Sequence, residues 1–109
     1  IKLWYDYFTT ATIYGCDICN KITIPELKTN HRVFLNLDED AYTKKYVLKY
    51  FENKKFDFLL DDGPNSLYSQ EQFIELYSSL ITENGILIIE DVQKIHWLEN
   101  LKNKRPETF

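Results

Sequence analysis

Phe56-Asp57-Phe58-Leu59-Leu60-Asp61-Asp62-Gly63 and Ile86-Leu87-Ile88-Ile89-Glu90-Asp91-Val92 decide the fold, with an amphipathic stretch between them. Each segment is an apolar run that ends in paired acids. Between the runs, Phe73, Ile74, Leu76, Tyr77 and Leu80 repeat at helical spacing, which predicts a helix over 69–81. Strand, crossover helix and strand make a unit whose two strands run parallel, with both carboxyl ends at one edge of the sheet. Open α/β sheets bind their ligands at that edge. Neighbouring strands lie about 4.8 Å apart, so acids at two adjacent tips converge. Gathered carboxylates repel unless one is protonated or a cation joins them. Oxygen is the ligand that Mg²⁺ or Ca²⁺ prefers. Asp61, Asp62, Glu90 and Asp91 are therefore candidates for a hard divalent-metal site.

Working outward, the rest of the chain continues the alternation. Residues 1–8 (Ile-Lys-Leu-Trp-Tyr-Asp-Tyr-Phe) read as the last turns of a helix already under way. Strands follow at 11–16, ending at Asp17, and at 32–35, with a short helix at 23–27 between them. The acidic turn Asp38-Glu39-Asp40 leads into a helix over 41–53, whose N-terminus those acids favour. Strand 56–60 comes next. Asn84-Gly85 reads as a stop and turn before strand 86–89. Residues 95–101 read as a helix and 102–109 as a frayed tail. Strands alternating with helices predict an α/β fold with a mostly parallel sheet. Their near-continuous apolar runs predict helices on both faces.

Composition narrows the function classes. The 109 residues are enough for one domain with a modest core. Net charge is −4 and the basic residues are scattered, which argues against a nucleic-acid surface. No apolar run approaches the ~20 residues of a membrane span, and no signal peptide is visible. Cys16 and Cys19 form a lone C-x-x-C, short of the ligands a zinc site needs. Cys16 falls in an apolar strand and reads as a small buried hydrophobe, which fits a reduced, cytoplasmic protein. The chain starts at Ile1 and contains no Met, so it reads as a fragment, truncated at both ends.

The two acidic strand ends, with Asn84-Gly85 ahead of the second, resemble the fourth and fifth strands of class I S-adenosylmethionine-dependent methyltransferases. The likeness is strongest to metal-dependent sugar O-methyltransferases of macrolide biosynthesis and to cephalosporin-hydroxylase-like proteins. That group shows an Asp-Asp-Gly-Ser-His turn and an Ile-Glu-Asp strand end. The resemblance implies a Rossmann-like methyltransferase fold, with residues 1–109 forming a partial domain that holds its second to fifth strands. It implies magnesium ligands at Asp62, Glu90 and Asp91, with Asp61 supporting the turn or the cofactor side. Asp17, after the second strand, matches the acid that takes the ribose hydroxyls of S-adenosylmethionine. Asp38, in the loop after the third strand, is the candidate near the adenine. The implied activity is methyl transfer to a sugar or other small polyhydroxylated substrate, and a homo-oligomer is left open.

Two departures from that pattern stand out. The glycine-rich loop and first strand are absent, and none of the three glycines precedes Gly15. Asn65 stands where the family turn has its His base, and an amide cannot take a proton near neutral pH. His96 is a substitute by residue type, or else a surface or packing histidine. The acids also have plainer readings: Asp61 and Asp62 as turn formers, Asp91 as a helix cap. A non-catalytic binding module of this fold is the second functional reading. A nucleotide-dependent oxidoreductase is the third, since Asp17 also suits a dinucleotide ribose and an upstream G-x-G-x-x-G would be required.

Overall fold

A computed structural model of the chain describes residues 1–19, 21, 27 and 30–105. The described elements are α1 (Lys2–Tyr7), β1 (Ile13–Asp17), β2 (Val33–Leu37), α2 (Lys44–Phe51), β3 (Phe56–Asp61), α3 (Leu67–Tyr77), a single 3-10 turn (Ser78–Leu80), β4 (Ile81–Ile89) and α4 (Trp97–Lys104). The expected helix at 23–27 lies outside the described residues, Leu27 excepted. The chain divides into two compact units, Ile1–Ala41 and Tyr42–Phe109.

In the first unit, β1 and β2 pair in parallel, with Ile13 opposite Val33 and Asp17 opposite Leu37. α1 ends where the Phe8 N–H donates to the Trp4 carbonyl. Arg32 holds that end in place. Its Nη1 donates to the Phe8 and Ala11 carbonyls at 2.8 and 2.9 Å, and its guanidinium lies 4.2 Å from the Tyr5 ring centre. A planar fork with several donors suits this double task. Gly15 lets Ile1 approach the strand: a Cβ there would stand 2.8 Å from Ile1 Cδ1 and 3.0 Å from Leu35 Cδ2.

In the second unit, Thr43 caps α2, its hydroxyl accepting from the Tyr46 N–H at 3.2 Å. α2 buries Tyr46, Val47 and Phe51, while α3 buries Gln70, Phe73, Ile74 and Tyr77. The rings of Phe51 and Phe56 meet edge to face at 5.3 Å, as do those of Phe51 and Tyr77 at 6.1 Å. α4 packs on α3 through Leu101, and Lys104 reaches Glu75 at 3.0 Å. Each fully buried apolar side chain of this kind contributes about 1.5–3 kcal/mol.

β3 and β4 pair in parallel, as the crossover unit requires. The expected sheet is nevertheless two sheets of two strands, β1 with β2 and β3 with β4. Helices on both faces were also expected, yet Phe58, Ile86 and Ile88 on one face of the β3–β4 ladder are exposed.

Several boundaries moved for identifiable reasons. α2 starts at Lys44, behind the acids at 38–40, because Thr43 rather than an acid satisfies its first N–H groups, and no acid lies in its first turn. Asn53, in the left-handed region at φ 63°, follows its end. Asn84-Gly85 does not precede β4 but sits within it. Phe56 pairs with Ile81 and Phe58 with Ile86, so Thr82 to Gly85 bulge opposite Asp57, whose Oδ1 accepts from the Thr82 hydroxyl at 3.0 Å. Lys102 to Lys104 are helical rather than frayed. Lysines in a last turn complement the helix dipole. Cys16 is exposed rather than buried, as is Cys19.

Candidate metal centre at two strand ends

The β3–β4 ladder delivers the acids. Asp61 pairs with Ile89 at its end, and one further bond, from the Glu90 N–H to the Asp61 carbonyl at 2.9 Å, ties the two tips together. Past that bond both chains turn away. Asp91 takes a left-handed φ of 58° and Asn65 one of 59°. Asp62, Glu90 and Asp91 are all exposed, and one carboxylate oxygen from each lies within 4.8 Å of the others. Of the four acids read from the sequence, the three assigned to metal therefore meet at one point.

Electrostatics reflect that crowding. The Glu90 carboxyl is held above its ordinary value, first by the negative charge of Asp62, then by partial desolvation, a hydrogen bond with Asp62 and the charge of Asp91. A hydrogen bond between two carboxyl groups needs a proton on one of them. With the proton gone, a cation is the group that relieves the repulsion. Three exposed carboxylates suit a hard divalent cation, which takes oxygen ligands and retains several waters.

Asp61 lies apart from the trio. It is 4% exposed, and its Oδ1 accepts from the Tyr42 hydroxyl. Its Oδ2 is buried without a hydrogen-bond partner. Burial raises its pKa, against the lowering effect of the Tyr42 bond; the charge of Asp62 adds to the rise and the Gly63 N–H opposes it. Gly63 makes the Tyr42 contact possible, because a Cβ there would overlap the Tyr42 hydroxyl. Asp61, the cofactor-side candidate, is thus turned inward against Tyr42.

Asn65 is half-buried, and its Oδ1 is buried without a partner. The N-cap of α3 is Ser66, whose hydroxyl accepts from the Ser69 N–H at 3.1 Å. His96 is exposed at the N-cap position of α4, makes no side-chain capping bond there, and is not among the converging ligand atoms. Because α4 begins beyond His96, Asp91 does not cap it. In the first unit, Asp17 and Asp38 sit together at the carboxyl end of β1–β2. The Asp38 N–H donates to the Asp17 carbonyl at 2.8 Å, and Asp17 Oδ1 accepts from the Cys19 N–H at 2.9 Å.

The sequence reading missed Gln70. It is wholly buried in α3, and its Nε2 donates to the Glu90 carbonyl at 3.4 Å and the Asp91 carbonyl at 3.3 Å. The signal was present: residues 70, 73, 74 and 77 follow the i, i+3, i+4, i+7 spacing of one helix face. Gln70 is the polar member of that apolar row.

The chain is a distant homologue of a mycinamicin methyltransferase. It is 26% identical over 98 residues to the mycinamicin VI 2''-O-methyltransferase of Micromonospora griseorubida, an alignment that covers 89% of this chain. The chain spans 23% of that relative's length. No family model matches the chain, and no solved structure matches it. Among the described residues, no helix is long and apolar enough to cross a membrane.

Proposed function

We propose that this chain is part of an S-adenosylmethionine-dependent O-methyltransferase that acts on a sugar or small polyhydroxylated substrate with the help of Mg²⁺ or another hard divalent cation. The observation that carries the reading is the meeting of Asp62, Glu90 and Asp91 within 4.8 Å at two adjacent strand ends. The homology to a 2''-O-methyltransferase supports the reaction class. The two parallel pairs fit strands two with three and four with five of a Rossmann-like methyltransferase sheet.

A cation bound by these carboxylates would draw two neighbouring hydroxyls into one coordination sphere and acidify one of them, while S-adenosylmethionine would supply the methyl group. The chain's own residues then have distinct tasks. Asp62, Glu90 and Asp91 hold the charge that fixes the cation. Asp61, bonded to Tyr42, supports the β3 tip that carries Asp62. Asp17 has the carboxylate to accept from both vicinal hydroxyls of a ribose, and Asp38 lies beside it. Asn65 takes no proton, so acidification by the cation carries more of the task than in relatives with His there.

A non-catalytic binding module is the second reading, and Asn65 at the base position favours it. Methyl transfer by the full-length protein to a macrolide sugar, followed as release of S-adenosylhomocysteine with Mg²⁺ or with chelator, separates the two. The proposal expects turnover that chelator and Asp62→Asn both abolish. Cofactor binding without turnover would favour the binding module. Turnover indifferent to chelator would remove the metal role.

A further inference from the structure

We propose that Gln70 is the positioning residue of the cation site, a clamp on α3 that sets the spacing of Glu90 and Asp91; the inference rests on reading the acidic trio as that site. Its amide nitrogen donates to the carbonyls of both residues, at 3.4 and 3.3 Å. These carbonyls belong to two of the three ligands, at the point where the chain turns through the left-handed φ of Asp91. Three like charges within 4.8 Å push the strand ends apart. Gln70 opposes that from beneath, while the bond from the Glu90 N–H to the Asp61 carbonyl ties the tips side to side.

As a packing residue, Gln70 is a poor choice. It is 0% exposed among Phe73, Ile74 and Tyr77 on the buried face of α3, and its Oε1 is buried with no hydrogen-bond partner. An unsatisfied buried acceptor is unfavourable. An apolar side chain of similar size would fill the space without that cost. What such a side chain cannot do is hold two carbonyls at a fixed distance from a helix. Replacing Gln70 should therefore cost metal affinity more than it costs metal-free stability.

Cation size adds a second consequence. Mg²⁺ demands near-ideal octahedral geometry at about 2.0–2.1 Å, whereas Ca²⁺ accepts flexible geometry at about 2.3–2.6 Å. Loosening the Glu90–Asp91 spacing should weaken Mg²⁺ more than Ca²⁺. Losing a group that orients metal ligands typically reduces affinity by about 10–100-fold.

The test is calorimetric titration of the full-length protein, and of its Gln70→Met and Asp62→Asn variants, with Mg²⁺ and separately with Ca²⁺. Metal-free melting of each variant is measured alongside. The proposal expects Gln70→Met to remain folded without metal, to bind Mg²⁺ about 10-fold or more weakly, and to lose less affinity for Ca²⁺. Asp62→Asn should abolish binding of both ions. If wild type and Asp62→Asn bind alike, or neither binds, the reading of the trio falls and Gln70's role falls with it. If Asp62→Asn abolishes binding but Gln70→Met keeps wild-type affinity and selectivity, the site stands and the clamp is refuted. Gln70→Leu is the second variant of different shape; if both apolar variants unfold without metal, Gln70 is a folding residue and the proposal is overturned.

Discussion

Replacing Gly63 with Ala tests how the β3 tip is supported. Gly63 does not have a positive φ, so its backbone accepts Ala, and any damage must come from contact. The new Cβ would overlap the Tyr42 hydroxyl and stand 2.8 Å from Tyr42 Cζ. Tyr42 must therefore swing away, and Asp61 loses its hydroxyl partner. A hydrogen bond to a charged group is worth about 1.5–3 kcal/mol. Asp61 is 4% exposed and its second oxygen is already unpartnered, so water replaces the bond poorly. Reduced freedom of the unfolded chain returns about 0.4–1 kcal/mol for Gly→Ala. The expected net loss is about 1–2 kcal/mol, read as a lower urea midpoint at unchanged slope. Tyr42→Phe should cost a similar amount, because it removes the hydroxyl without the clash. In a Tyr42→Ala background the obstacle is gone, and Gly63→Ala should be neutral or stabilising. An equal loss in both backgrounds would refute the reasoning.

Glu90 gives a pH prediction. Its folded pKa lies above the ordinary 4.5, so the folded state binds the proton more tightly than the unfolded state does. Glu90 therefore favours folding below that window, and the contribution fades as pH rises through it. Bound Mg²⁺ reverses the preference, so the melting shift produced by Mg²⁺ should grow with pH from 4.5 to neutrality; a shift independent of pH would count against Glu90 as a ligand. Ser66→Ala removes the hydroxyl that caps α3 at the Ser69 N–H and should cost about 1 kcal/mol, with no loss expected if the cap is ornamental. Cys16 and Cys19 are both exposed, so both should react with a thiol reagent under native conditions. A single fast-reacting thiol would contradict the exposure of one of them.

The strands and helices were legible where hydrophobic spacing was strong. The 69–81 pattern became α3 and its 3-10 turn, and the apolar runs became β3 and β4. The acidic trio was legible because position at a parallel strand end is almost enough to say where a side chain goes. Other features depended on tertiary context. Asn84-Gly85 announces a break, yet whether that break is a turn or a bulge depends on the partner strand, and here Asp57 accommodates a bulge. Tyr42 looked like one more apolar residue of α2, but it precedes the Thr43 cap and is free to point its hydroxyl at Asp61. Cys16 looked buried because its neighbours are apolar, but the end of β1 is exposed. Gln70 was visible as a polar residue in an apolar row, and its task was not, since the carbonyls it holds lie twenty residues away in sequence.

The central claim is that Asp62, Glu90 and Asp91 hold one divalent cation. Crystals of the full-length protein grown with Mn²⁺, examined by anomalous diffraction, test it most directly. The account predicts one manganese peak bonded to a carboxylate oxygen of each of the three residues, absent in Asp62→Asn. Well-ordered carboxylates with no peak between them at saturating Mn²⁺ would contradict it.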